Sequence, residues 1–200
     1  MNLSVFASGR GSNFLAIAKA VKSGRLKLKL ALLVCDNPKA SVLDKAKKLK
    51  IKAVLVNRRV FTNKSDFEAE IISLLKEHNI DLIAMAGYMR MLSPAFVRSY
   101  RNRIINVHPS ILPSFKGAQG IKDAFYYGVR VTGVTVHFVD EQMDHGPIIL
   151  QRAIEIKEVD TLKSLEEKIH KIEHKLYPEA IKLIVQGRVK ISGRRVRIKG

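Results

Sequence analysis

Three polar side chains have the types and spacing to do acyl-transfer chemistry: Asn106, His108 and Asp144. Asn106 and His108 stand two apart in Ile104-Ile105-Asn106-Val107-His108-Pro109-Ser110. On a strand they project to the same side. Pro109 has no N–H to give a central ladder, so the strand ends there with the pair at its carboxyl end. Asp144 follows a second strand-like run, Val134-Thr135-Val136-His137-Phe138-Val139, in the loop from Asp140 to Pro147. An amide and an imidazole can hold a developing oxyanion. A carboxylate can orient the imidazole and move a proton.

Positioning such a set requires a sheet, and the chain reads as one. Apolar, β-branched runs at 2–7, 28–35, 52–56, 81–86, 103–107, 131–139 and 147–156 predict strands. Amphipathic stretches at 13–23, 41–50, 64–78, 94–100, 118–127 and 161–186 predict helices, and Ser93-Pro94 reads as a cap followed by a first-turn proline. This alternation predicts an α/β, Rossmann-like, mostly parallel sheet with helices on both faces. The early strands are almost wholly apolar, as in Leu82-Ile83-Ala84-Met85-Ala86, which suits burial on both faces. The last two are longer and alternate more, which predicts an antiparallel extension. With no linker or repeat, residues 1–200 are expected to form a single domain, with 188–200 as a basic tail or hairpin.

Other segments carry weaker signals. The turn Ala7-Ser8-Gly9-Arg10-Gly11-Ser12-Asn13 lies between a strand and a helix, where small residues and free helix-end amides suit one phosphate. It is not the dinucleotide fingerprint: Phe14 stands where a third glycine would be, and Asp36 more simply ends a strand than binds a ribose. Ala86-Gly87-Tyr88-Met89-Arg90-Met91-Leu92 could wall a flat ligand, although an ordinary strand-helix connection explains it equally. His137, inside a strand, reads as structural, and Glu173 shares a helix face with His170, His174 and Tyr177 that solvent could cover. The G-x-S-x-G elbow of serine hydrolases is absent, and Cys35 lacks an activating neighbour.

The 36 Lys and Arg against 18 Asp and Glu give a net charge of +18. That excess fits nucleic-acid binding or a field attracting anionic substrates. A lysine-rich solvated surface of the kind common in heat-adapted proteins explains it more simply, so nucleic acid is not the expected partner. No run approaches a membrane span, no charged-then-apolar leader precedes the first strand, and the single cysteine suits a reducing, cytoplasmic setting. No Cys/His cluster has zinc spacing, and no metal is expected.

As a set, Ala7 to Asn13, Ala86 to Arg90, Asn106 to Phe115 and Asp140 to Gln151 resemble the phosphoribosylglycinamide formyltransferases (GAR transformylases), in order and at near-identical spacing over nearly the whole chain. The resemblance implies transfer of a formyl group from 10-formyltetrahydrofolate to the amine of glycinamide ribonucleotide (GAR) in de novo purine synthesis. It places the catalytic trio on Asn106, His108 and Asp144. It implies that Gly11, Ser12 and Asn13 hold the GAR phosphate, and that Gly87, His108, Pro109 and Glu173 line the rest of that site. Met89, Arg90, Met91, Leu92 and Val97 would border the folate with Asn106, and the Asp140–Asp144 loop would close over the pterin. Lys64 stands where relatives often carry arginine near the folate entrance, and His170 where some carry glutamine. Lysine offers there a point charge instead of a planar fork. Related formyltransferases acting on methionyl-tRNA, or hydrolysing the folate, carry an extra domain that 200 residues would not accommodate. A monomer or a homodimer would serve equally. A basic nucleic-acid module and a nicotinamide enzyme are the competing readings; salt-sensitive RNA binding or NADH binding would mark them.

Overall fold

The computed structural model describes residues 1–200. Strands are β1 (Asn2–Ala7), β2 (Lys29–Cys35), β3 (Ala53–Leu55), β4 (Leu82–Met85), β5 (Ile104–His108), β6 (Val131–Phe138), β7 (Ile148–Glu155), β8 (Val189–Ser192) and β9 (Arg195–Ile198). Helices are α1 (Ser12–Lys22), α2 (Val42–Lys48), α3 (Lys64–Glu77), α4 (Pro94–Ser99), α5 (Gly120–Tyr127) and α6 (Leu162–Val185), with a 3-10 turn at Arg58–Val60. The fold is α/β, mostly parallel, with an antiparallel extension. Its contacts cluster into two compact units, Met1–Ile105 and Asn106–Gly200, and β5 begins in one and ends in the other.

In the first unit, β1 lies between β2 and β4, and β3 lies beyond β2; all these pairs are parallel. Leu3, Val5, Phe6, Leu32, Leu33, Ile83 and Ala84 are fully buried, so these strands are apolar over the stretches that both faces cover, while β2 opens on the exposed Lys29. Edge strand β3 differs: Leu55 is exposed, and its three residues are half-buried at best. The chain leaves β1 for β2 on one side and returns to β4 on the other, which makes the carboxyl ends of β1 and β4 a topological switch point. Helix α4 begins as expected, with the Ser93 hydroxyl accepting from Phe96 N–H and Pro94 in the first turn. Cys35, at the end of β2, is fully buried and donates its S–H to the Asn37 carbonyl at 3.3 Å. Burial above all, then neighbouring Asp36, pushes its thiol pKa up against the opposing effect of that hydrogen bond.

In the second unit, β6 and β7 pair antiparallel, and α6 packs on both. A reciprocal capping box between Thr161 and Ser164 starts α6, and its inward stripe buries Leu165, Ile169, Leu176, Tyr177, Ala180 and Ile181. Gly133 is required where it stands: a Cβ there would lie 2.2 Å from the Arg152 carbonyl and 2.6 Å from Ile111. The β6–β7 register shifts between Val136 and His137, which pair with Leu150 and Ile148, so Ile149 of β7 is the residue left over at that step. The basic tail forms the antiparallel hairpin β8–β9. No helix is long and apolar enough to cross a membrane.

Candidate active site

In the second unit, Asn106 and His108 at the carboxyl end of β5 both reach Asp144. Asn106 Nδ2 lies 3.4 Å from Asp144 Oδ1, and His108 Nδ1 lies 3.4 Å from Oδ2. Two-residue spacing on one strand therefore gives one carboxylate two polar neighbours. A backbone donor is closer still: Gly117 N–H donates to Asp144 Oδ2 at 2.8 Å. Asp144 itself sits at φ 47°, the left-handed region that aspartate tolerates better than most residues. Glycine at 146 holds the loop tight, because a Cβ there would fall 1.9 Å from the Phe138 carbonyl.

His108 is nearly buried, and its Nε2 lies 2.8 Å from the Phe115 carbonyl. A carbonyl can only accept, so Nε2 carries a hydrogen, and a second proton on Nδ1 would turn the Asp144 contact into an ion pair. The segment supplying these partners is fastened to the sheet. Thr135 Oγ1 donates to the Ser110 carbonyl at 2.7 Å and accepts from Leu112 N–H at 3.1 Å, while Gln151 Nε2 donates to the Leu112 carbonyl at 3.0 Å.

His137, read as a structural residue of its strand, is buried in β6 and packs against this cluster. Its Nε2 lies 3.7 Å from Asp144 Oδ1 and 3.4 Å from Asn106 Nδ2, and its Nδ1 lies 2.7 Å from the Phe138 carbonyl. Burial works to raise the Asp144 pKa. The nearby His137 side chain, the hydrogen bond from Gly117 N–H and the charges of both histidines outweigh it and hold the carboxyl below its usual range. An ionised carboxylate, two imidazoles and an amide thus share one spot that is almost closed to water.

Elsewhere in this unit, Asp140 accepts from Gln142 N–H at 3.0 Å and pairs with His145 at 2.7 Å. Glu173 is buried on α6, with His170 Nδ1 at 3.0 Å, so its face is not solvated. Pro109 is half-buried directly after the pair.

In the first unit, the connections after β1, β2 and β4 are tied together at the carboxyl ends of their strands. Ser8 N–H donates to the Gly87 carbonyl at 3.1 Å, Met89 N–H to Ser8 Oγ at 3.0 Å, and Asn37 Nδ2 to the Ser8 carbonyl at 2.9 Å. Helix α1 opens with Gly11 in the left-handed region, no side-chain cap, and no acidic residue in its first turn. Gly11 is glycine for a packing reason that the sequence did not reveal: a Cβ there would lie 2.3 Å from Val42 Cγ2. Gly9 by contrast faces open space.

The residues assigned to the folate divide by exposure. Met89 and Met91 are exposed, Leu92 and Val97 buried. The Arg90 guanidinium pairs with the buried carboxylate of Asp36 and lies 5.9 Å from the Phe67 ring centroid. Lys64 lies 3.8 Å from Glu68, a buried carboxylate that also accepts from the Ser93 N–H and hydroxyl, so Glu68 ties α3 to the start of α4.

The profile of the family described as "Formyl transferase" matches residues 1–181. The chain is 49% identical over 181 residues to phosphoribosylglycinamide formyltransferase of Bacillus subtilis, covering 90% of this chain and 93% of that one. It is similar to the crystal structure of glycinamide ribonucleotide transformylase 1 from Symbiobacterium toebii, with a TM-score of 0.97 and 38% identity over 100% of this chain and 94% of that one. For the corresponding Geobacillus kaustophilus structure the TM-score is 0.89 and the identity 46%, over 92% of this chain and 97% of that one. In sequence and in fold, the chain belongs to the formyl transferase family, among its phosphoribosylglycinamide formyltransferases.

Proposed function

We propose that this enzyme transfers the formyl group of 10-formyltetrahydrofolate to the primary amine of GAR in purine biosynthesis, acting as one formyltransferase domain in the cytoplasm. The observation that carries the reading is the convergence of Asn106 and His108 on an ionised Asp144. In this reading the amine attacks the formyl carbon, and the oxyanion that forms takes hydrogen bonds from Asn106 Nδ2 and His108 Nδ1. Both atoms now stand 3.4 Å from their partners, contacts long enough to be exchanged at little cost. The firm 2.8 Å bond from Nε2 to Phe115 keeps the His108 ring in place meanwhile. Asp144 favours the imidazolium and accepts the proton of the attacking ammonium, directly or through water. Collapse of the tetrahedral intermediate breaks its bond to the folate nitrogen, which takes up a proton, and the formyl group remains on GAR.

In the same proposal, Gly11, Ser12 and Asn13 bind the phosphate on the uncapped start of α1, and Gly87, Pro109 and Glu173 line the rest of the GAR site. Met89, Arg90, Met91, Leu92, Val97 and Asp140 border the folate, while Lys64 offers its tail one positive charge. The test is to mix the protein with GAR and 10-formyltetrahydrofolate and to identify the products. Formylated GAR appearing in step with free tetrahydrofolate is expected. Loss of the formyl group to water alone would defeat the proposal.

A further inference from the structure

The terminal hairpin holds the loop that carries Asp144. Gly193, at φ 57°, turns the chain between β8 and β9 and puts Arg194 at the tip, next to the Ser192–Arg195 pair. Arg194 Nη2 donates to the His145 carbonyl at 2.7 Å, and Nη1 lies against the His145 ring, 2.8 Å from Nε2 and 3.2 Å from Nδ1. That Nδ1 lies 2.7 Å from Asp140 Oδ2. The Asp140 carboxylate can only accept, so the Nδ1 hydrogen of His145 points to it. Asp140 Oδ1 in turn accepts from Gln142 N–H. A chain of polar contacts thus runs from the hairpin tip through the residue after Asp144 to the start of the loop.

Three features make this more than a surface contact. Arg194 grips both the side chain and the carbonyl of one residue, a two-pronged geometry open to arginine and closed to lysine. The gripped residue adjoins Asp144, whose left-handed backbone is unfavourable for a side chain and needs support from its surroundings. The hairpin is itself closed at its open end, where Arg188 Nε donates to the Lys199 carbonyl at 2.7 Å and Lys199 N–H donates to the Arg188 carbonyl at 2.9 Å. It lies beyond residue 181, where the match to the family profile stops.

We propose that Arg194 is a positioning residue for formyl-donor binding, acting through His145 to hold the Asp140–Asp144 loop; this rests on the reading of that loop as the cover of the donor. The experiment compares Arg194→Ala, Arg194→Lys and Arg197→Ala, the last removing an equal charge from an exposed position in the same hairpin. Arg194→Ala is expected to raise KM for the donor about tenfold, as loss of a charge-assisted hydrogen bond and a guanidinium–ring contact from a loop should. KM for GAR should stay within about twofold, because the lost bonds lie outside its site. Amide exchange at Gln142 to His145 should quicken about tenfold. Arg194→Lys restores part of both effects, and Arg197→Ala moves neither. Arg194→Ala added to His145→Ala has less effect than alone, since both break one link. Unchanged exchange, an unchanged donor KM, or an equal effect from Arg197→Ala overturns the proposal. Exchange is read without turnover, so a wild-type protein that transfers no formyl group would count against the proposed function, while the loop data still judge the link.

Discussion

At Asp144 the local balance of forces can be read residue by residue. Its lowered pKa keeps it ionised through the neutral range, and its charge stabilises the fold fully above the ordinary carboxylate range. That contribution is lost as pH falls through the lowered folded value. Asp144→Asn should therefore flatten the loss of stability between about pH 5 and pH 3, seen in denaturant melts at several pH values. It should also cut turnover about 10²-fold or more, as loss of a proton acceptor does; a normal rate with a normal pH profile would make Asp144 an ordinary loop acid. His108→Ala and Asn106→Ala should each lower kcat about 10²-fold, the effect of one missing oxyanion donor, with circular dichroism unchanged. Near-normal kcat in either variant removes that residue from the mechanism. The two-residue spacing and the terminal proline made Asn106 and His108 legible. The packing of His137 against them was not, because polar-apolar alternation says nothing on a strand buried along nearly its whole length. The position of His137 just before the Asp140 loop was the usable signal. The Gly117 amide and the Phe115 carbonyl are backbone groups, which no residue identity announces.

The elements themselves were nearly all legible, to within a residue or two at their ends. Alternating apolar runs and amphipathic stretches are the direct imprint of strands buried under helices, and the Ser93-Pro94 start of α4 has a simple steric reason. The 3-10 turn at Arg58–Val60 was missed because three residues are too few to show a period. The turn into α1 was placed correctly, but Gly11 answers to the packing of α2, so enlarging it would disturb the fold before it tested a ligand. Ser12→Asp is the cleaner test of that helix end. A carboxylate in the first turn favours the helix dipole but repels a phosphate on the same amides. Tm should hold or rise, KM for GAR should rise about tenfold or more, and KM for the donor should stay within about twofold. Equal changes in both KM values would reject the phosphate assignment.

Across the whole molecule, a net charge of +18 sets a field that acts on every anion. Both proposed substrates are anionic, so both should arrive faster at low salt. Raising ionic strength from about 0.01 to 0.15 M shortens the screening length from about 30 to about 8 Å. Steady-state rates over that range should show kcat/KM falling together for GAR and for the donor while kcat stays level. A fall for one substrate alone would point to a local contact instead. Tight RNA binding lost over the same range would revive the nucleic-acid reading, which composition by itself could not separate from a solvated surface. The basic tail read as a tail or a hairpin, and it is the hairpin β8–β9, but its contact with the loop was not legible. What Arg194 grips lies 49 positions away in sequence, a separation that no local pattern spans.

Cys35 turns the core of the first unit into a clock. It is the chain's one thiol, it has no exposed surface, and its pKa is raised, so alkylating reagents meet it only in molecules whose β2 end has opened. Mass spectrometry after timed labelling would count those molecules directly, with no second cysteine to subtract. Under native conditions labelling should run about 10³-fold or more slower than for an unhindered thiol, as opening of a core strand requires. A ligand seated on the turn after β1 should slow it further, because Ser8 in that turn is tied to Asn37, whose carbonyl takes the Cys35 hydrogen. The thiol would then report occupancy of the phosphate turn without any chemistry taking place.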